Sequence, residues 1–168
     1  GLPVVAPLVG GIMSRPASVV LVGPTGVGKT AVALSMACSV ATGTPWLGRE
    51  VDPAPVLYVV GEGAYGLDTR VAAWERSWNR EVGDDELTFA VKPESLRRQT
   101  TWLEMAETAR DLHVGLVVLD TFSSLAPDAD ETKDAPLVTR WLSNMASELA
   151  ITVMLIHHPG WGDASRVS

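Results

Sequence analysis

The hydrophobic positions of the chain fall into five short runs with more polar segments between them. Each run has the length of a buried β-strand. The runs are residues 18–22, 56–60, 87–91, 116–119 and 151–156. Apolar residues at helical spacing fill the segments between them, and Pro136 suits the first turn of a helix before the last run. The clearest helical segments are residues 29–41, 67–79 and 100–112. Alternating strands and helices predict an α/β fold with a mainly parallel sheet, in one domain over residues 1–168.

The predicted helices each carry one apolar face, which we expect to pack on the sheet. The predicted buried sets are Leu67, Val71, Trp74 and Trp78; Trp102, Ala106, Ala109 and Leu112; and Leu137, Trp141, Met145 and Leu149. Residues 121–134 are polar and acidic, which predicts a surface loop. Cys38 lies in an apolar helical stretch and is expected to be a buried, unpaired thiol.

Composition and charge exclude several classes of protein. Of the 168 residues, 46% are hydrophobic, which argues against a disordered chain. No apolar run approaches the roughly 20 residues that a bilayer requires, so no membrane span is expected. The lone Cys38 and an N-terminus without a basic signal region predict a cytoplasmic setting.

The charge balance argues against a freestanding nucleic-acid binder. Lys and Arg number 13 and Asp and Glu number 20, so the formal net charge is −7. No basic stripe is present, and the adjacent Arg97 and Arg98 are interpreted as solvated surface. Any contact with nucleic acid must then come from a local loop or from an assembly.

The strongest motif directly follows the first strand and directly precedes the first helix. Residues 23–30 match the pattern G-x-x-x-x-G-K-[ST] of a phosphate-binding loop, or Walker A motif. Its members are Gly23, Pro24, Thr25, Gly26, Val27, Gly28, Lys29 and Thr30. The glycines let the backbone wrap around phosphates, Lys29 reaches the terminal phosphates as a point charge, and the Thr30 hydroxyl is a ligand for Mg²⁺.

Polar residues also stand at the carboxyl ends of three other predicted strands, where ligands of α/β sheets bind. Asp120 ends the apolar run 116–119 in a Walker B pattern, which predicts a second Mg²⁺ contact. Glu62, between two glycines, is placed to polarise a water for attack on the γ-phosphate; the alternative is a solvent-exposed glutamate in a turn.

His157 and His158 end the last strand. One of them is predicted to sense the γ-phosphate, and ordinary strand-end polarity is the alternative. A metal site at this pair is disfavoured because no further ligand lies at a suitable spacing.

Together these strand ends resemble the RecA-type ATPase core. The resemblance is closer to the RepA-like hexameric helicase branch of the AAA-family ATPases of plasmids and phages. The residues that carry it are the loop 23–30, Thr44-Pro-Trp-Leu-Gly-Arg49, Val56-Leu-Tyr-Val-Val-Gly-Glu-Gly63, Leu116-Val-Val-Leu-Asp-Thr121 and Ile156-His-His158.

The resemblance implies a three-layer fold with strand order 3-2-4-5-1 and helices on both faces of the sheet. It also implies Glu62 as catalytic base, Lys29 and Thr30 as ligands of ATP and Mg²⁺, Asp120 as the Walker B carboxylate, and His157 or His158 as sensor. Members of the family usually form hexameric rings or filaments in which a neighbouring subunit supplies an arginine finger. The family core continues with further strands that carry this arginine, and we expect them to lie beyond Ser168.

The sequence therefore predicts a Mg²⁺-dependent ATPase that acts on single-stranded DNA as a helicase or recombination motor. In RecA-type proteins the loop after the Walker B strand usually faces DNA. Here it carries Asp128, Asp130, Glu131 and Asp134 against the single Lys133. Such a loop would repel phosphate, so two alternatives stay open: a RecA-like recombinase that orders DNA strands, and an ATP-dependent regulatory switch without nucleic acid. A small-molecule kinase is disfavoured because no Arg-rich lid segment is present.

Overall fold

Strands and helices alternate along the computed structural model, which describes residues 4–61, 66–91 and 94–158. The elements in chain order are β1 Ala6–Val9, β2 Met13–Arg15, β3 Ala17–Val22, α1 Lys29–Thr42, β4 Val56–Val60, α2 Leu67–Trp78, β5 Leu87–Val91, α3 Gln99–Asp111, β6 Leu116–Asp120, α4 Phe122–Leu125, α5 Glu131–Leu149 and β7 Thr152–His157. All five predicted strands are present, and β4 and β5 have the predicted bounds.

The main sheet has five parallel strands in the order β3-β7-β6-β4-β5. Counted along the chain without the first two short strands, and read from the opposite edge, this is the predicted order 3-2-4-5-1, which is confirmed. Helices α1 and α2 pack on one face with residues such as Val118 and Ile156. Helices α3, α4 and α5 pack on the other face with residues such as Val117 and Leu155. The three-layer α/β architecture is therefore confirmed as well.

The prediction of a surface loop over residues 121–134 is wrong. This stretch contains α4 and the start of α5, and several of its polar residues cap these two helices. Thr121 forms a capping box with Ser124, and the Asp130 carboxylate accepts hydrogen bonds from the backbone N–H groups of Thr132 and Lys133. Because α5 begins at Glu131, Pro136 lies inside the helix and not in its first turn.

The buried faces of three helices differ in part from the predicted sets. On α5 the buried residues are Val138, Leu142, Met145 and Ala146, whereas Leu137, Trp141 and Leu149 are partly exposed. On α3, Met105 is buried, and Ala106 and Leu112 are only partly so. Trp78, in the last turn of α2, is 49% exposed, so its assignment to the core is wrong.

None of the helices in the described ranges combines the length and the apolar character needed to cross a bilayer.

Cys38 is fully buried, as predicted. Burial raises the pKa of its thiol to about 12, and the nearby charge of Glu75 adds to the effect.

An antiparallel hairpin of β1 and β2 precedes the sheet and was not predicted. Its strands of four and three residues are too short to show a periodic pattern. Gly11 in its turn has a φ of 74°. Leu8 and Val9 are fully buried, and the Thr152 hydroxyl donates a hydrogen bond of 2.7 Å to the Ser14 carbonyl. The hairpin thus closes one end of the core, away from the carboxyl ends of the parallel strands.

Candidate functional site

The carboxyl ends of the four adjacent parallel strands β3, β7, β6 and β4 lie side by side along the carboxyl edge of the sheet. In the strand register Val22 of β3 pairs with His157 of β7, and Asp120 of β6 lies between Ile156 and Val60. The loop that follows β3 therefore starts beside the end of β7. The structure thus brings together the loop 23–30, Asp120 and His157, which the sequence placed at this edge.

The loop 23–30 has the backbone of a ligand cradle. Gly26 and Gly28 have φ angles of 85° and 93°, which side chains with a Cβ rarely adopt. A Cβ at either glycine would meet no atom within 4 Å, so the requirement for glycine is conformational. Gly28 caps α1 without a side-chain hydrogen bond, and the first turn carries no acidic residue. The positive end of the α1 dipole is thus left for an external anion.

Lys29 lies at the centre of this cradle and is only 6% exposed. Its Nζ donates hydrogen bonds to the carbonyl oxygens of Gly23 at 2.5 Å and Pro24 at 2.6 Å. Among the described residues no carboxylate lies within ion-pair distance of Lys29. Burying a cation without a counter-ion is costly, so this position favours an anionic ligand.

Asp120 is the second buried charge of the edge, with 8% exposure. Its Oδ2 accepts a hydrogen bond of 3.0 Å from the Thr30 hydroxyl and one of 2.7 Å from the Tyr58 hydroxyl. Tyr58 was not among the predicted site residues. Burial, then the charge of Asp120, raises the pKa of the phenol far above its usual range, so Tyr58 is a neutral donor.

The donor set at this edge fits a magnesium nucleotide. A hydroxyl has one hydrogen and two lone pairs, so Thr30 can donate to Asp120 and still offer an oxygen to a cation. Mg²⁺ prefers oxygen ligands and usually takes only one or two from the protein, together with waters and phosphates. The described ranges contain no group of three or more His, Cys, Asp or Glu that could hold a metal. Thr30 and Asp120 would hold Mg²⁺, and Lys29 with the loop backbone would hold the phosphates.

The two histidines differ in their surroundings, although both are half-buried. The His157 ring packs edge-on against Phe122, with ring centroids 5.4 Å apart. His158 has a buried Nδ1 without a hydrogen-bond partner in the described part of the chain. Glu62, the predicted base, lies outside the described residues.

Gly61, which precedes Glu62, packs directly against the backbone of α4. A Cβ at Gly61 would lie 2.5 Å from the carbonyl carbon and oxygen of Ser124. Helix α4 is held in turn by a hydrogen bond of 2.8 Å from the Leu96 N–H to the Leu125 carbonyl. From the sequence, Gly61 could be interpreted only as part of a turn, because its close approach to α4 depends on the tertiary fold.

We predict that Gly61→Ala destabilises the fold by about 1–3 kcal/mol, because the new methyl group meets rigid backbone. Urea unfolding followed by circular dichroism measures the change. Gly10→Ala is the matched control, since a Cβ there would make ordinary contacts, the nearest at 3.4 Å. Equal stability losses in the two variants would contradict the prediction.

The surface beyond α4 is built from ion pairs. Arg97 and Arg98 are both exposed, as predicted, and Arg97 pairs with Asp128 at 3.3 Å and with Asp134 at 3.1 Å. A hydrogen bond from Ser95 lowers the pKa of Asp128, and Arg97 adds to the effect. Asp128 and Asp134 thus connect the segment before α3 to the N-terminal part of α5, whereas Asp130 caps α5 itself.

Comparisons with known proteins give the family and the fold of the chain. A family model described as an AAA domain matches residues 1–164. A search of curated proteins finds no match. Among solved structures, the chain is similar to the KaiC-like protein PH0186 from the hyperthermophilic archaeon Pyrococcus horikoshii OT3, with a TM-score of 0.65 and 19% identity. The alignment covers 95% of this chain and 68% of that one. At 19% identity, this similarity is evidence for the fold alone.

The match to the family model extends over almost the whole chain and includes the loop, Asp120 and both histidines. The solved structure supports the same sheet architecture. The protein therefore belongs to the AAA domain family, and its fold is that of a RecA-like P-loop ATPase.

Proposed function

We propose that the protein binds ATP with Mg²⁺ and hydrolyses it to ADP and phosphate. The observation that carries this proposal is the buried ammonium of Lys29. It lies in a glycine cradle at the start of α1, with no carboxylate partner in the described ranges, and its neighbour Thr30 is hydrogen-bonded to Asp120. A triphosphate supplies the missing negative charge, and its metal ion suits the two oxygen ligands.

In this proposal each residue of the edge has a separate task. Lys29 and the N–H groups of the loop bind and orient the phosphates. Thr30 and Asp120 hold Mg²⁺, which, when bound, neutralises charge on the phosphate oxygens. Glu62 accepts a proton from water as the water oxygen bonds to the γ-phosphorus, and the bond from that phosphorus to the β–γ bridging oxygen breaks. His157 or His158 contacts the γ-phosphate and responds to its loss.

We further propose that hydrolysis drives movement on single-stranded DNA, in a hexamer of the RepA-like helicase type that serves replication or recombination. The support is the motif resemblance, in particular the Thr44-Pro-Trp-Leu-Gly-Arg49 stretch before the strand of Glu62. In such an assembly a neighbouring copy provides the arginine finger. With a net charge of −7, the DNA contacts would come from a local loop or from the assembly.

A second candidate is an ATP-dependent regulatory switch without nucleic acid. The acidic surface after β6 favours it, because Arg97 is engaged by Asp128 and Asp134 and is not free to meet a DNA phosphate. In this case hydrolysis would change the assembly or a protein partner, and DNA would have no effect on the rate.

The decisive experiment measures phosphate release from ATP, with Mg²⁺ or with EDTA, and with or without single-stranded DNA. Light scattering on the same samples gives the oligomeric state. Hydrolysis that requires Mg²⁺ supports the ATPase, and stimulation by DNA supports the motor. Hydrolysis without stimulation in the assembled protein supports the switch and contradicts the motor. A protein that neither binds nor hydrolyses ATP contradicts the proposal as a whole.

A further inference from the structure

Tyr58 is the one residue of β4 whose side chain carries a polar atom, and it is fully buried. The other residues of this strand are valines and a leucine. A buried hydroxyl must find a hydrogen-bond partner, because leaving it unpaired costs free energy. The partner of Tyr58 is Oδ2 of Asp120, at 2.7 Å.

The strand register explains how the two side chains meet. Tyr58 on β4 pairs with Val118 on β6, so Asp120 lies two residues further along the neighbouring strand and on the same face. Diagonal neighbours of this kind are within reach of an aromatic side chain. The ring of Tyr58 also packs against Phe89 of β5, with centroids 5.4 Å apart, which restrains it from the other side.

The hydrogen bond to Asp120 has the properties of a strong one. An ionised carboxylate only accepts, so the phenol donates, and such charge-assisted bonds are stronger than neutral ones, more so in a buried site. The bonds from Tyr58 and Thr30 both end on the same oxygen, Oδ2. Neither donor therefore occupies the other carboxylate oxygen, Oδ1.

We propose that Tyr58 is a positioning residue for the magnesium site, whose hydroxyl fixes the Asp120 carboxylate beside the Thr30 hydroxyl. This inference rests on the proposed function, because it assigns a further residue to the same site. Tyr58 acts through Asp120 and does not contact the nucleotide or the metal. A carboxylate that is held in one orientation loses no further freedom when the cation binds, so the hydroxyl strengthens the binding of Mg²⁺.

The test is Tyr58→Phe, which removes the hydroxyl and keeps the ring. We expect the affinity for ADP in EDTA to stay unchanged and the affinity for ADP with Mg²⁺ to fall. The Mg²⁺ concentration that gives half-maximal ATP hydrolysis should rise by about 10–100-fold, while kcat at saturating Mg²⁺ stays close to that of the wild type. Calorimetric titrations of ADP with and without Mg²⁺ give the binding part independently of turnover.

Thr101→Val is the matched control for the loss of a buried hydroxyl. Thr101 is fully buried on α3, across the sheet from Tyr58, and donates a hydrogen bond of 2.9 Å to the Ser95 carbonyl. We expect this variant to lose stability without any change in Mg²⁺ dependence. A Mg²⁺ dependence in Tyr58→Phe that equals the wild-type value would overturn the role of Tyr58 and leave the proposed function intact. Nucleotide binding by the wild type that gains nothing from Mg²⁺ would contradict both.

A second measurement keeps the native hydroxyl in place. The chain has two tyrosines, Tyr58 and Tyr65. When the Tyr65→Phe variant is produced with 3-fluorotyrosine in place of tyrosine, its fluorine NMR signal reports on position 58 alone. We expect the fluorine resonance of the ADP-bound protein to shift when Mg²⁺ is added, because Tyr58 is bonded to a ligand of the cation. A resonance that does not respond to Mg²⁺, in a sample where calorimetry shows Mg²⁺ binding, would contradict the proposal.

Discussion

Replacing Lys29 with alanine is expected to reduce ATP hydrolysis by at least about 10²–10³-fold and to weaken nucleotide binding. The ammonium is buried in the loop, where it bonds to the carbonyls of Gly23 and Pro24. A cation in such a place interacts with a phosphate far more strongly than one in bulk water. The loop backbone alone would retain hydrogen bonds to the phosphates but would lose this charge. Phosphate release and the dissociation constant of ADP measure the two parts.

Lys133→Ala is the control for this prediction. Lys133 lies on α5, has an 83% exposed side chain, and its Nζ forms a long ion pair of 3.8 Å with Asp130. Its loss should leave binding and turnover unchanged, since exposed pairs contribute little. Circular dichroism must show that the Lys29 variant is folded. Binding of ADP by folded Lys29→Ala with wild-type affinity would contradict the assignment of the loop as the phosphate site.

Much of the fold could be predicted because the central strands are buried on both faces. Strands β4 and β6 are apolar along almost their whole length, and such runs are visible without any knowledge of their neighbours. Gly43 ends α1 in the left-handed conformation typical of a helix C-terminus. The motif at residues 23–30 could be located from the sequence because all its residues are consecutive and lie in one turn.

Contacts between distant segments could not be predicted in the same way. Aspartate is common in loops, so the sequence suggested that Asp130 lies in one. Its hydrogen bonds to the backbone N–H groups of Thr132 and Lys133 show that it caps α5. Trp78 matches a core position by spacing, but α2 ends there and the ring stays half exposed. The role of Tyr58 depends on the register of β4 and β6, and the need for Gly61 depends on the backbone of α4. For Tyr58, the sequence offered one signal of a special role, namely a tyrosine within an otherwise aliphatic strand.

Glu62→Gln is expected to lower the hydrolysis rate by about 10²–10⁴-fold while ATP binding persists. The amide has nearly the same size as the carboxylate but cannot accept the proton of the attacking water. Lys29, Thr30 and Asp120 remain in place, so the nucleotide and Mg²⁺ should still bind. The expected product is a stable complex with unhydrolysed ATP, which filtration followed by chromatography of the bound nucleotide detects. Single-turnover phosphate release gives the rate of the chemical step.

Two comparisons separate the role of base from other roles of Glu62. Glu107→Gln, an exposed position on α3, makes the same chemical change away from the site and should turn over normally. If Glu62 served mainly to bind the nucleotide, its variant would lose affinity for ATP and ADP alike, as expected for Lys29→Ala. If Glu62 is the base, the two variants should differ. Lys29→Ala should lose both nucleotide affinity and turnover, whereas Glu62→Gln should keep its nucleotide affinity and lose only the chemical step. Wild-type turnover in Glu62→Gln would remove Glu62 from the mechanism, and the base would then have to be sought among the other polar groups at this edge, beginning with His157 and His158.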